Sequence, residues 1–234
     1  MKFLQLICIE RETTDDENRI MRSEVGGWVQ DTVARRINIT GKPLDWPQGA
    51  KTVRVRDGQT LISDGPFADT KEFIGGFDLL ECESFDQAIE VAAKHPVAWF
   101  NAIELRPFLD GKDVPEFIDP GQLQQMMLVC VDGVPASTEV EAAIMRDCKA
   151  WREEIEASGV HLAGERVVGP SEAKTVRVRD GQTLVSDGPF FEAEEFLGGF
   201  DLLKCETLDE AVGWAVKHPI ARFHKIEVRN FRDL

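Results

Sequence analysis

Residues Lys51 to Phe67 read KTVRVRDGQTLISDGPF, and the same string returns at Lys174 to Phe190 with Val185 in place of Ile62. The displacement is 123 residues and it persists on both sides of this core. Gly75-Gly76-Phe77-Asp78-Leu79-Leu80 returns as Gly198 to Leu203, and Lys94-His95-Pro96 as Lys217-His218-Pro219. Between Lys51 to Phe108 and Lys174 to Phe231 roughly two thirds of the positions are identical. Upstream, Trp28 pairs with Trp151, Gly41 with Gly164 and Pro47 with Pro170. One domain is written twice, and two copies are too few for a solenoid. The expected division is 1–107 for the first copy, 108–123 for a linker rich in Pro and Gly, and 124–234 for the second.

The totals suit two domains of a little over 100 residues each, and an apolar share of 43% fills two cores. A net charge of −15 repels phosphate backbones, so nucleic acid is excluded as a partner. The opening KFLQLICIE turns polar too soon for a signal peptide, and no apolar run reaches membrane length. The expected setting is cytoplasmic, without membrane contact. Five cysteines without C-x-x-C spacing read as buried apolar groups rather than a disulfide or metal framework.

Residues 2–9 alternate as a strand. Thr13 to Glu17 supplies cap residues and first-turn acids for a helix predicted to run to about Ile37. In the second copy Thr138 and Glu141 form a capping box, and Val140, Ile144, Trp151 and Ile155 can share one helical face. Gly41 to Ala50, with two prolines, reads as a loop. Thr52 to Arg56 and Gln59 to Ser63 flank Asp57-Gly58 and make a hairpin. Phe73 to Cys82 is a strand whose Gly75-Gly76 marks a bulge or close backbone approach. Ser84 and Gln87, like Thr207 and Glu210, cap a short helix that His95-Pro96 stops, and Trp99 to Arg106 is the last strand.

Strand, helix, hairpin, strand, helix, strand is an α+β pattern: a ferredoxin-like domain with an extra hairpin, its helices on one face of an antiparallel sheet. The first and last strands carry apolar groups on both faces, so the face without helices needs a cover. The predicted architecture is two ferredoxin-like domains packed sheet to sheet about a pseudo-twofold axis, a pseudo-dimeric α/β barrel within one chain. Whether this unit stays a monomer or forms a homodimer is left open.

If Val53 and Val55 face the helices, Arg54 and Arg56 face the space between the sheets, with Arg177 and Arg179 as counterparts. Asp78 and Glu104, with Asp201 and Glu227, are assigned to the same space. Such a mixture can line a polar pocket for a carboxylate, enolate or phosphate, or the groups can pair with one another and need no ligand. Asp64 and Asp187 open a Gly-Pro turn; an Asp there either accepts backbone N–H bonds or serves as a general base, and both are carried as catalytic candidates. His95 and His218 precede prolines at helix ends, a terminus role. His161 stands opposite Asn38 and His224 opposite Asn101. Motifs for metal hydrolases, serine hydrolases and nucleotide binding are lacking, and neither a metal nor another cofactor is expected.

Asp64-Gly65-Pro66-Phe67-Ala68-Asp69-Thr70-Lys71-Glu72, followed by Gly75-Gly76-Phe77, resembles the DGPFAETKE…GG motif of the YCII-related (DGPF-domain) family. Thr52-Val53-Arg54 and Ile103-Glu104-Leu105-Arg106-Pro107 are similar to that family's TVR and EVRP segments. In the second copy Phe191-Glu192-Ala193-Glu194-Glu195 departs from the motif. The resemblance implies a ferredoxin-like domain that builds dimeric α/β barrels. It also implies either a small-molecule-binding protein or small enzyme, some relatives using a His and Asp dyad, or a regulatory module with a protein partner such as an extracytoplasmic-function sigma factor. No His stands at that family position in either copy. The reading is a small-molecule site between the sheets, its ligand anionic.

Overall fold

The computed structural model describes residues 1–67, 71–112, 114–132, 138–190 and 195–233, with the backbone alone for Asp132 and Thr138. The first copy runs β1 (Lys2–Ile9), α1 (Asp15–Ala34), β2 (Asn38–Pro43), β3 (Lys51–Arg56), β4 (Gln59–Asp64), β5 (Phe73–Glu81), α2 (Phe85–Lys94) and β6 (Ala102–Pro107). The second repeats it as β7 (Gln125–Asp132), α3 (Thr138–Ser158), β8 (His161–Arg166), β9 (Lys174–Arg179), β10 (Gln182–Asp187), β11 (Glu195–Leu203), α4 (Leu208–Lys217) and β12 (Lys225–Asn230).

Local chemistry accounts for most of these bounds. Thr14 accepts from the Glu17 amide while the Glu17 carboxylate takes the Thr14 amide, a complete capping box at α1. The box read at Thr138 and Glu141 involves a side chain outside the described residues. Asp57 and Gly58 both adopt positive φ (52° and 74°), as a two-residue hairpin turn demands. Helix α1 stops at Ala34 rather than Ile37, and Asn38–Pro43, part of which reads as a loop, is a strand. As the edge of its sheet β2 tolerates the terminal Pro43, whose missing N–H faces no ladder partner. The 3₁₀ turn Pro96–Trp99 precedes β6, so the last strand starts three residues later than the sequence pattern indicates.

Two six-stranded antiparallel sheets result, in the orders β10-β9-β6-β1-β5-β2 and β4-β3-β12-β7-β11-β8. The hairpins are exchanged. β3 of the first copy pairs with β12 of the second (Thr52 opposite Glu227), and β9 pairs with β6 (Thr175 opposite Glu104). Each sheet is thus completed by its counterpart's hairpin rather than by its own.

The sheets face one another across an apolar layer drawn from both copies. Leu4, Leu6, Cys8, Phe77 and Leu79 meet Met126, Leu128, Cys130, Phe200 and Leu202. Val114, Ile118 and Leu123 of the connecting segment are buried in the same layer, so the linker is part of the core. On the outer faces Trp28 packs with α2, and Trp151 with α4; each indole N–H donates to a carbonyl of the neighbouring helix, Val91 O at 3.0 Å and Trp214 O at 3.2 Å. The seams between the sheets hold isolated bridges, Leu44 to Phe231 and Phe108 to Val167, rather than continuous ladders. The arrangement is the intrachain α+β pseudo-dimer, with two sheets that do not merge into a closed barrel.

Candidate functional site

The exchange places the DGPF turn of each copy on the last strand of the other. Gly65 and Gly188 sit at φ +94° and +98°, which only glycine takes without strain. Their carbonyls accept from the Thr52 and Thr175 hydroxyls at 2.9 and 3.1 Å. The amide of Phe67 then donates to Glu227 Oε2 at 3.0 Å, and that of Phe190 to Glu104 Oε2 at 2.8 Å. Both phenyl rings pack on the inter-sheet core. The other carboxylate oxygens take guanidinium groups: Arg106 Nη1 donates to Glu104 Oε1 at 3.0 Å, and Arg229 Nε to Glu227 Oε1 at 2.8 Å. Arg106 Nη2 also reaches Val168 O and Leu197 O, and Arg229 Nη1 reaches Ile74 O. The four residues are at most 2% exposed. The Glu-x-Arg pair of β6 and β12 is therefore a buried clamp that ties strand, opposite DGPF turn and opposite glycine bulge together.

Beside each clamp lie the hairpin arginines. Val53 and Val176 are buried in the helix-side cores, so Thr52, Arg54 and Arg56, like Thr175, Arg177 and Arg179, share the opposite face. Arg177 Nε donates to Glu10 Oε1 at 2.8 Å, with Nη2 2.7 Å from the same oxygen, while Arg179 Nη2 donates to Glu10 Oε2 at 3.0 Å. Arg179 also donates to the carbonyls of Ala98 and Asn101. At the other end Arg56 donates to Ala221 O and Phe223 O. Arg54 faces Glu195 Oε1 at 3.9 Å, beyond hydrogen-bond length. Cys8, buried near the Arg177 end, has its thiol pushed up by desolvation and then by the Glu104 charge.

Asp78 and Asp201 do not line the inter-sheet space, which corrects the sequence expectation. Phe77 and Leu79 point there, so alternation turns Asp78 toward the helices, and Asp201 follows in the second copy. Asp78 accepts from Gln5 Nε2 at 2.7 Å and Asn38 Nδ2 at 3.4 Å, with His95 Nε2 4.0 Å away. Burial raises its carboxyl to about 7 and lowers His95 to about 3, so both prefer their neutral forms. In the second copy His161 replaces Asn38 and lies 3.0 Å from Asp201 Oδ1, joined by Arg152 at 3.8 Å and His218 at 3.9 Å. Gly41 and Gly164 are required beneath these carboxylates, since a Cβ would stand 2.0 and 2.1 Å from Asp78 Oδ1 and Asp201 Oδ1.

Asp64 and Asp187 occupy outer edge strands, their side chains 84% and 86% exposed, and bond to Lys51 at 2.5 Å and Lys174 at 2.6 Å. These lysines hold both carboxyls below their usual range. The ten candidates thus divide into a buried clamp (Glu104, Glu227), two arginine pairs beside it (Arg54, Arg56, Arg177, Arg179), two helix-side carboxyls (Asp78, Asp201) and two surface carboxylates (Asp64, Asp187). A single polar pocket between the sheets does not gather them, because apolar side chains fill that layer. Residues 68–70 and 191–194, where the two motifs diverge, lie outside the described residues. Sequence reading missed Glu10 and the clamp arginines. The Glu-x-Arg spacing in both last strands was the available signal for the clamp. Among the described residues, no three His, Cys, Asp or Glu side chains converge as a metal site.

A model of the YCII-related domain matches the sequence twice, over residues 1–111 and 125–233. An uncharacterized protein of Rhizobium meliloti (strain 1021) is 39% identical over 79 residues, 34% of this chain; the match spans 64% of that relative's length. The crystal structure of a protein assigned as a chlorite dismutase overlays 99% of this chain and 94% of its own, with a TM-score of 0.48 and 10% identity.

Proposed function

The chain belongs to the YCII-related domain family, and we propose that it is a small-molecule-binding module whose ligand is anionic and docks at the root of an exchanged hairpin. One observation carries this reading. In a chain of net charge −15, two hairpin arginines share one strand face beside each clamp, and at one end both guanidinium groups meet a single carboxylate, Glu10. Guanidinium forks suit carboxylate and phosphate oxygens, and a partly desolvated setting strengthens such bonds. The clamp supplies rigidity: Glu104, Glu227, Arg106 and Arg229 are committed to one another and to backbone, and of the hairpin arginines Arg54, 41% exposed and 3.9 Å from Glu195, is the least engaged. No chemistry is assigned to Asp64 or Asp187, whose carboxylates point away from this face.

Thermal shift tests the reading. Inorganic phosphate, citrate and benzoate are screened against the natural protein and an Arg54→Ala/Arg177→Ala variant. An anion that raises the natural protein's Tm is expected to lose most of that shift in the variant. An equal shift in both proteins overturns the arginine assignment.

A further inference from the structure

Four strands end the two sheets, and the chain seals only two of them. Along β2 the connecting segment and the C-terminal tail take up the outer edge: Ile118 N donates to Ile39 O at 3.1 Å and Arg232 N to Pro43 O at 3.0 Å. On β8 the Leu109 amide does the same for Arg166 O at 2.9 Å. The hairpin strands β4 and β10 form the other two ends, and no described residue makes a backbone hydrogen bond to their outer edges.

These two edges lack the usual protection. Every residue of Gln59–Asp64 and Gln182–Asp187 is exposed, Ile62 to 52% and Val185 to 45%. Neither strand contains Lys, Arg, Pro or Gly, and neither hairpin ladder is broken by a bulge, the devices that normally blunt an edge. The repeat adds a constraint. Across the displacement of 123 residues α1 keeps two of its 20 positions in α3, whereas β4, which buries no side chain, keeps five of its six in β10. Exposure alone does not hold a sequence still; a surface that touches something does.

The backbone points to the occupant. The Gly65 amide donates to Ala50 O at 2.9 Å, which fixes the phase of the hairpin ladder. Gln59, Leu61 and Ser63 spend their N–H and C=O groups on β3, and Thr60, Ile62 and Asp64 turn theirs outward. Gly188 and Ala173 set the same phase for β10. Laid antiparallel against its own copy with Ile62 opposite Ile62, β4 gives each of these outward groups a partner. Thr60 then faces Asp64, a hydroxyl donor beside a carboxylate, and two β-branched side chains meet on the twofold axis. Thr183, Val185 and Asp187 offer the same match on β10.

We infer that β4 and β10 are self-association edges, each taking a hairpin strand of a second copy of this chain. The pairing extends by one step the mode already used inside the molecule, where a hairpin of one copy completes the sheet of the other. Association at one edge leaves the other free, so growth passes the dimer. A single strand pair is small beside a standard interface and each chain carries a charge of −15, so the association is weak and tightens with salt.

Sedimentation velocity on the full chain, over a concentration series up to about 1 mM and in about 0.1 M and about 1 M NaCl, tests this. The natural protein is expected to grow beyond the dimer, and more readily at the higher salt. Ile62→Lys or Val185→Lys, each placing an ammonium group on one pairing axis, should stop growth at the dimer. The two together should leave monomers, weakening association by at least about tenfold. Amide exchange on the natural protein locates the contact without relying on any variant: Thr60, Ile62 and Asp64 should gain protection with concentration, while Leu61 and Ser63 start protected. A natural protein that stays monomeric throughout overturns the inference and leaves the edges to a strand of a different protein. Association that leaves those three amides exchanging freely, or that survives the double variant undiminished, overturns it as well.

Discussion

At the scale of the residue, the two copies show what one substitution does to a buried carboxyl. Asp78 and Asp201 occupy the same strand position above the same glycine, yet the first is ringed by Gln5, Asn38 and a neutral His95 and the second by His161, His218 and Arg152. The Asp78 carboxyl, raised to about 7, stabilises the fold fully below the pH where an unfolded Asp ionises, and that stability is lost as pH rises through 7. His95, lowered to about 3, acts in the opposite sense: its contribution is present above the unfolded value of 6.5 and is lost as pH falls toward 3. Between about pH 4 and 6.5 the two slopes oppose. Asp78→Asn removes one of them, so its stability relative to the natural protein should rise with pH across that window, by up to about 1.4 kcal/mol per unit. Urea unfolding at pH 4.5, 5.5 and 6.5 measures this; a difference that does not change with pH contradicts it.

At the scale of the element, the hairpins and short helices were legible because their signals are local. Asp57-Gly58 dictates its turn, and Ser84 and Thr207 cap their helices wherever the rest of the chain goes. Strand β2 was hidden because Asn38–Pro43 contains a glycine needed under Asp78 and ends in proline, both of which mimic a loop. The facing of Asp78 was misread for want of β5's register, which only the packing of Phe77 and Leu79 reveals. The exchange itself could not be read. Thr52-Val53 finds Glu104-Ile103 or Glu227-Ile226 equally acceptable, since both last strands offer the same residues. The twice-written DGPF turn belongs to this level too: here its glycine and its Phe amide serve the clamp. Removing Glu227 strands Arg229 in the core and frees the Phe67 amide, so Glu227→Ala should cost about 3–5 kcal/mol. Chemical denaturation reads this directly, and a loss below about 1 kcal/mol would mean that the clamp contributes little.

At the scale of the whole molecule, two sheets cover one another's apolar faces, and each borrows an edge hairpin from the opposite copy. Neither repeat is a self-sufficient body, because its last strand and its buried glutamate are both satisfied by the other. The sites beside the clamps inherit this composite character: Arg177 and Arg179 come from one copy and Glu10 from the other. The exchanged pairing carries all of this, and solution NMR addresses it most directly through cross-strand backbone NOEs from Val53. Contacts from Val53 to Ile226, in the second copy, are the expected result. Contacts from Val53 to Ile103, within its own copy, would contradict the account.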